Sequence, residues 1–228
     1  MEKRTWRTKG DRFIALTEFA KGKFIAAGLP TDKVAVKPKF VADSGAKRES
    51  GAVRREGALF VDRLSAEKGI GTLLRAWRDM AVRSRIIGDR PLAESIRRRD
   101  DQAVKGLGRK ARPKVIKEMR RAAFLIMPSE WYETFGLVIV VAFATALPII
   151  ASRLGAMSEI IEDGDTGLLF EPGDAADLAA KVGWAADNPS EMRRMGENAG
   201  RVYEGLYTPE VNYRQPMEIY DEAAQAAC

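Results

Sequence analysis

Short apolar runs alternate with amphipathic stretches along most of the chain, and this alternation constrains the fold more than any other feature. Runs such as Ala58–Val61, Phe124–Met127 and Gly167–Phe170 have the length of buried strands, and each is followed by a segment with helical periodicity. Repeated strand–helix units build a parallel sheet that is covered by helices on both faces. The sequence therefore predicts an α/β fold with a doubly wound, Rossmann-like sheet.

The boundaries of the predicted elements come from the ends of the apolar runs and from Gly and Pro positions. Strands are predicted at Phe13–Thr17, Val34–Val36, Ala58–Val61, Arg85–Ile87, Val104–Leu107, Phe124–Met127, Pro148–Ala151 and Gly167–Phe170. Helices are predicted at Glu18–Ala27, Lys68–Met80, Pro91–Arg99, Pro113–Ala122, Leu137–Thr145, Ser158–Ile161, Ala175–Ala186, Ser190–Tyr203 and Tyr213–Ala224. The polar stretch Asp43–Glu56 predicts a linker between an N-terminal arm and the main domain.

Composition excludes several classes of protein. The chain of 228 residues has one cysteine, Cys228, and no histidine. A disulfide framework within the chain is therefore excluded, and a cytoplasmic location is the natural expectation. The lack of histidine argues against triad hydrolysis and His-based zinc chemistry. No secretory signal is expected, and the apolar run Leu137–Ala151 is too short for a membrane span.

The net charge of +6 leaves two interpretations open, a solvated basic surface or an anionic partner. Nucleic acid is not the expected partner, because the basic stretches Arg97–Arg99 and Lys105–Lys117 come with no recognition motif or stacking platform. A membrane surface stays open on charge alone, without further support. A dinucleotide-dependent dehydrogenase is disfavoured because no Gly-x-Gly-x-x-Gly fingerprint follows a strand.

The segment Pro128–Leu137 carries the pattern with the most chemistry. A predicted strand leads into a short loop that contains Gly136, and an apolar helix begins directly after it. Free N–H groups at a helix N-terminus attract anions, and Gly136 allows close approach to the backbone. Glu133 at the mouth of this site favours a ligand with hydroxyls as well as phosphate, such as a sugar phosphate. The alternative is that Glu133 only balances the helix dipole.

A second strand-to-helix loop, Val61–Gly69, carries cations. Arg63 offers a planar fork for phosphate and Lys68 a compact positive charge, so the two together can neutralise a diphosphate. The alternative is a solvated basic turn that is paired with Glu67. Taken alone, this loop is a weak indication.

The order and spacing of these segments resemble the C-terminal, donor-binding domain of family-4 retaining glycosyltransferases of GT-B fold (glycosyltransferase group 1). The resemblance covers about Asp11 to Ala223 and is carried by Phe60–Gly69, Ile86–Pro91, Pro128–Leu137, Leu147–Ser152, Glu159–Gly164 and Thr166–Gly173. It implies transfer of a hexose with retention from a nucleotide-diphosphate sugar, a UDP- or GDP-sugar. It also implies no metal and no other cofactor.

The resemblance assigns catalytic roles to Glu133, Arg63 and Lys68. Glu133 would hold hydroxyls of the donor sugar. Arg63 and Lys68 would clamp the diphosphate and stabilise the charge on the departing nucleotide.

The resemblance also implies donor-binding residues. Backbone amides of Phe135, Gly136 and Leu137 would meet the sugar and the diphosphate. The turn at Gly88 and Pro91 would lie near the nucleoside.

Five positions depart from the family pattern. Val141 stands where the family has a second glutamate that grips the ribose, a loss of about 1.5–3 kcal/mol per hydrogen bond. Asp62 replaces a glycine, and its carboxylate near a phosphate would oppose binding by roughly 1–4 kcal/mol. Arg90 and Ala146 replace turn glycines, and Lys39 replaces an asparagine in the interdomain turn. An alternative function is therefore a degenerate, non-catalytic GT-B domain that binds or scaffolds.

GT-B enzymes bind donor and acceptor between two domains, and the resemblance extends to little of the acceptor domain. Residues 1–42 are expected to be a remnant of that domain with the interdomain segment, 43–207 the nucleotide-sugar-binding domain, and 208–228 the crossing helix. The chain is thus expected to be truncated relative to the family, with a separate acceptor-binding domain or subunit as partner. Trp6, Phe13, Phe24 and Tyr220 are candidates for apolar surface that such a partner would cover.

Overall fold

The computed structural model describes residues 10–42, 55–89, 92, 94, 96 and 103–226. Its strands are β1 Phe13–Ala15, β2 Val34–Val36, β3 Ala58–Val61, β4 Ser84–Ile87, β5 Val104–Gly108, β6 Phe124–Met127, β7 Ile149–Ser152 and β8 Gly167–Phe170. Its α-helices are α1 Glu18–Ala26, α2 Ile70–Ala76, α3 Arg112–Arg121, α4 Leu137–Ala144, α5 Ala156–Ile160, α6 Ala175–Asp187, α7 Pro189–Leu206 and α8 Pro209–Ala226. Short 3-10 helices cover Thr31–Lys33 and Ala66–Lys68.

Within the described residues, β3 to β8 form a six-stranded parallel sheet in the order β5-β4-β3-β6-β7-β8. The chain runs outward from β3 to β5, then returns to the other side of β3 and continues through β6, β7 and β8. The strand order therefore reverses between β3 and β6. In open α/β sheets a ligand-binding crevice opens at such a point, beyond the carboxyl ends of the strands.

Helices cover both faces of this sheet, which confirms the predicted doubly wound α/β fold. Alternate residues of β3 and β6 belong to opposite cores: Leu59 and Leu125 pack with α4 and α7, whereas Phe60 and Ile126 pack with α2 and α6. Both faces of these strands are buried, which is why the sequence reads there as unbroken apolar runs.

β1 and β2 form a separate two-stranded parallel sheet, with α1 as the connection between them. This N-terminal unit is fastened to the main sheet through α5. Both carboxylate oxygens of Glu159 accept hydrogen bonds from the first turn of α1, from the amides of Glu18 at 2.8 Å and Phe19 at 2.7 Å. A carboxylate at this place satisfies orphan N–H groups and also complements the helix dipole.

Several helix predictions were wrong at their ends. The C-terminal helix begins at Pro209 rather than at Tyr213, and the helix expected to end at Met80 ends at Ala76. The helix expected from Lys68 begins at Ile70, and Lys68 lies instead at the end of a 3-10 turn. Gly69 separates the two with φ of 68°, and a Cβ at this position would lie 1.6 Å from the carbonyl oxygen of Pro128. The helix is broken because the loop after β6 passes directly against this turn. Of the predicted helix at Pro91–Arg99 the structure describes Leu92, Glu94 and Ile96; Glu94 and Ile96 are helical, and Ile96 is buried in the core. Most of the predicted linker lies outside the described residues.

Candidate functional site

A cleft of about 330 Å³ opens at the reversal point of the sheet, beyond the ends of β3 and β6. Its walls are the turn after β3, the loop after β6, the first turn of α4 and the segment that follows β2. The residues that line it are Lys39, Val61, Asp62, Lys68, Met127, Glu133, Thr134, Phe135, Gly136, Leu137 and Val138. The sheet thus brings together two loops that the sequence analysis had treated separately.

The first turn of α4 forms the floor of this cleft. Gly136 is its N-cap, with φ of 67° and ψ of 63°, a left-handed conformation that glycine adopts at little cost. The first N–H groups of an α-helix have no partner within the helix, so they present partial positive charge to the cleft. The Phe135 side chain is buried, and its ring packs edge-on against Tyr207 with centroids 6.1 Å apart. This packing fixes the backbone of Phe135 and Gly136.

Glu133 is held in place at the cleft by two donors. Its Oε1 accepts from Lys68 Nζ at 2.6 Å and from the hydroxyl of Ser129 at 2.8 Å. Among the described residues both hydrogen bonds go to Oε1, which leaves Oε2 available to a hydroxyl-bearing ligand. Ser129 is buried, so the hydroxyl that positions this carboxylate is itself rigid.

Lys68 lies between two carboxylates. Its ammonium is 2.6 Å from Glu133 Oε1 and 2.8 Å from Asp62 Oδ2. Burial by itself would lower the pKa of Lys68, but hydrogen bonds to Asp62 and Glu133 outweigh it, so the pKa is raised. Lys68 is therefore a charged centre of the cleft, and Asp62 already neutralises part of its charge.

The structure does not place Arg63 with the other predicted clamp residue. The Arg63 side chain is 70% exposed, lies 3.6 Å from Glu67, and does not line the cleft. Its backbone N–H donates to Asp62 Oδ1 at 2.7 Å. Asp62 therefore occupies donors of both Arg63 and Lys68.

Gly88, which follows β4, does not line the cleft but packs closely against the end of β3. A Cβ at this position would lie 2.1 Å from the carbonyl oxygen of Asp62, so the ends of β3 and β4 approach this closely only because residue 88 is a glycine. Pro91, predicted near the same turn, lies outside the described residues.

Three other departures from the family pattern are placed by the structure. Val141 packs half-buried against the core and does not line the cleft. Ala146 adopts φ of 50°, as expected if the turn after α4 needs the left-handed conformation. Lys39 lines the cleft, although the sequence analysis assigned it no role. Arg90 lies outside the described residues.

Sequence reasoning missed Ser129 and Thr134 as well as Lys39. Ser129 lies four residues before Glu133 in the loop after β6. The loop conformation that brings their side chains together cannot be predicted from the residue types alone. Thr134 lies between two residues that were singled out. Lys39 comes from a segment far away in sequence, so only the folded chain reveals it.

The described residues contain no group of three or more His, Cys, Asp or Glu side chains that could hold a metal ion. No helix within the described part of the chain has both the length and the apolar character needed to cross a membrane.

A doubly wound parallel sheet with a charged cleft at its reversal point defines a Rossmann-like α/β domain, and in such folds phosphate groups commonly bind at a helix N-terminus of this kind. The family is more specific. Residues 55–188 match the family Glycosyl transferases group 1, and the chain belongs to this family.

Relatives agree with this assignment. An uncharacterized glycosyltransferase of Methanocaldococcus jannaschii is 29% identical over 223 residues, which are 94% of this chain and 60% of that protein. An MMP alpha-(1->4)-mannosyltransferase of Mycolicibacterium hassiacum is 37% identical over 100 residues, 42% of this chain and 24% of that protein.

Solved structures share the fold. HepE of Anabaena in complex with UDP has a TM-score of 0.83 at 22% identity and is matched over 95% of this chain and 65% of its own. Sucrose-phosphate synthase of Thermosynechococcus elongatus has a TM-score of 0.79 at 22% identity, over 93% of this chain and 58% of its own. The chain thus spans less than two thirds of the length of these proteins.

Proposed function

We propose that this chain provides the donor-binding part of a family-4 retaining glycosyltransferase of GT-B fold, which transfers a sugar from a nucleotide-diphosphate sugar. One observation carries the proposal. In a cleft floored by the N-terminus of α4, Glu133 is held by Lys68 and Ser129. The cleft combines an anion site with a carboxylate acceptor for hydroxyls, and a sugar diphosphate needs both.

The position of each residue supports its proposed role. The diphosphate lies against the first amides of α4, those of Phe135, Gly136 and Leu137, where it meets the positive end of the helix dipole. Lys68 balances charge as the bond between the sugar and the diphosphate breaks. Glu133 accepts from sugar hydroxyls through Oε2.

Two predicted residues contribute less directly. Arg63 reaches the diphosphate only if its exposed side chain turns away from Glu67. Gly88 serves the nucleoside side of the cleft by keeping β3 and β4 close together.

UDP- or GDP-sugars are the proposed donors, with no metal or other cofactor, because Lys68 and the helix N-terminus supply positive charge at the cleft. HepE has been solved with UDP and with UDP-glucose, which supports a nucleotide sugar as ligand of this fold. A cytoplasmic location accords with the single cysteine.

The domain assignment is part of the proposal. Residues 1–42 belong to the acceptor side and the interdomain segment, 43–207 form the donor domain, and 208–228 form the crossing helix. The separate two-stranded sheet of β1 and β2 supports this division.

A separate acceptor-binding domain or subunit is the proposed partner. Exposed aromatic side chains support it: Tyr132, Phe24 and Tyr220 are 60%, 41% and 63% exposed. Of the other two candidates for this surface, Phe13 is half-buried and Trp6 lies outside the described residues.

A second candidate function is a degenerate domain that binds or scaffolds without catalysis. The ion pair between Asp62 and Lys68 favours this second function, because the Asp62 carboxylate already binds the cation that a phosphate would otherwise bind. The two candidates differ in one measurable property, which is binding of the donor.

The test is calorimetry of the full chain with UDP, GDP and their glucose and mannose conjugates at up to millimolar concentration. Saturable binding that Glu133→Gln weakens for the sugar conjugates supports the proposed function. No binding by either the wild type or Asp62→Asn would refute it and leave the scaffolding function. Retention has its own test, since NMR of the sugar released from an α-linked donor must show the α-anomer first.

A further inference from the structure

We propose that Lys39 is a diphosphate-binding residue of this cleft. Its positive charge compensates for the part of the Lys68 charge that the Asp62 carboxylate neutralises. The inference rests on the proposed function and extends it to a residue outside the matched family region, 55–188.

The charges that line the cleft are the first reason. Its ionisable side chains are Lys39, Asp62, Lys68 and Glu133, two cations and two anions. Lys68 is engaged with both carboxylates, at 2.8 and 2.6 Å. A nucleoside diphosphate that entered the cleft would therefore meet a locally neutral cluster, which attracts an anion poorly.

Lys39 is the cation that remains available. Its side chain is exposed at the cleft and forms no hydrogen bond or ion pair with the residues that the structure describes. It shares the lining with Gly136 and Leu137, at the N-terminus of α4, so a phosphate bound there is accessible to it. Because the lysine side chain is flexible and its ammonium is a compact charge, it can adjust to the position of such a phosphate.

The backbone on both sides of Lys39 is anchored, which gives this cation a defined place. The carbonyl of Pro38 accepts from the Asn212 amide at 2.8 Å, and Asn212 also accepts from Lys37 Nζ at 2.5 Å. On the other side, Val41 donates to the carbonyl of Tyr207 at 3.2 Å and accepts from the Tyr203 hydroxyl at 2.8 Å. Helices α7 and α8 thus hold the backbone of the segment, whereas the exposed Lys39 side chain has no hydrogen bond or ion pair with the described residues.

The consequence is that the donor site has a component from the segment that follows β2. Asp62 and Lys39 act as a compensating pair, with one charge of each sign at the same cleft. A diphosphate, which carries more charge than a monophosphate, should depend more strongly on Lys39.

The experiment measures the affinity of wild type, Lys39→Ala and Lys39→Arg for UDP, GDP, UMP and GMP by calorimetry at low ionic strength. Lys117→Ala is the matched control, because it removes the same charge from the exposed face of α3 and Lys117 does not line the cleft. Loss of a charge-assisted contact predicts that Lys39→Ala weakens diphosphate binding about ten- to a hundredfold. The monophosphates should lose clearly less, and Lys39→Arg and Lys117→Ala should bind as the wild type does.

Equal diphosphate affinity of wild type and Lys39→Ala, or an equal loss for Lys117→Ala, would overturn the role of Lys39 and leave the proposed function standing. If the wild type binds too weakly to measure, the same series is run in the Asp62→Asn background. Absence of binding there as well refutes both the proposed function and this inference. Thermal unfolding of each variant confirms that the exposed substitutions leave the fold intact.

Discussion

The carboxylate of Asp62 lies 2.8 Å from the ammonium of Lys68, at the point where the sheet reverses its strand order. The same ammonium binds Glu133 Oε1 at 2.6 Å, so one cation is shared by two anions. The Asp62 carboxylate also accepts from the backbone of Arg63. The Asp62 carboxylate therefore binds the same ammonium group that would stabilise an anionic ligand most strongly.

Asp62→Asn is therefore expected to strengthen binding of a nucleoside diphosphate. The amide retains an oxygen for the Arg63 N–H but removes the charge that opposes phosphate, an effect of about tenfold or more at low salt. Calorimetry with UDP and GDP at low and at higher salt concentration measures this change in affinity. The increase in affinity should become smaller as the salt concentration rises. Glu204→Gln is the control, because it removes an exposed carboxylate of α7 that does not line the cleft. Weaker binding by Asp62→Asn would show that Asp62 organises the site.

Ser129→Ala is expected to separate recognition of the sugar from recognition of the diphosphate. The variant removes the hydroxyl that donates to Glu133 Oε1, so the carboxylate is held by Lys68 alone. We expect affinity for the nucleotide sugar to fall about tenfold, as for one lost hydrogen bond to a charged group, with UDP affinity nearly unchanged.

A matched control is Ser84→Ala, because Ser84 is also buried and its hydroxyl has no partner in the described structure. It should leave both affinities as they are. A parallel loss of UDP and UDP-glucose binding in Ser129→Ala would mean that Ser129 supports the whole loop rather than Glu133.

The sequence was sufficient for the elements whose signals are local. The strand Phe124–Met127 was predicted to the residue, because a strand that is buried on both faces reads as a continuous apolar run. The two loops that line the cleft were also identified, since each follows a strand and opens a helix. Their meeting at one cleft follows from the strand order, which local patterns do not reveal.

The errors came from contacts between distant segments. The helix expected from Lys68 begins later because the carbonyl of Pro128 passes against Gly69. The role of Arg63 as a phosphate clamp stays a prediction; its side chain lies next to Glu67 and outside the cleft lining. Lys39 was noted only as a departure, because nothing in its own segment shows that it faces α4.

Ala146→Gly is expected to stabilise the protein. Ala146 is the one non-glycine residue with positive φ among those described, at 50°. The left-handed conformation costs a residue with a Cβ roughly 1–2 kcal/mol, and the extra freedom of glycine in the unfolded chain offsets about 0.5–1 kcal/mol of the gain. The net gain of roughly 0.5–1 kcal/mol should raise Tm by a few degrees in calorimetry. Ala142→Gly, in the interior of α4, should destabilise the protein and serves as control.

Tyr207→Phe is expected to remove a loss of stability at alkaline pH. Burial, with a smaller contribution from the nearby charge of Glu159, raises the pKa of Tyr207 from 10.0 to about 12. Because the folded state holds this proton more tightly than the unfolded state, the stabilisation is fully present below pH 10. This stabilisation is lost as the pH rises from 10 towards 12, by roughly 2–3 kcal/mol in all.

Urea unfolding at pH 8, 10 and 11 should show a steeper decline of the free energy of unfolding for wild type than for Tyr207→Phe. Tyr213→Phe, which alters a phenol that is 71% exposed and hydrated in both states, should decline as wild type does. Parallel curves for wild type and Tyr207→Phe would mean that the phenol is hydrated in the folded protein and that its packing against Phe135 is looser than the ring geometry implies.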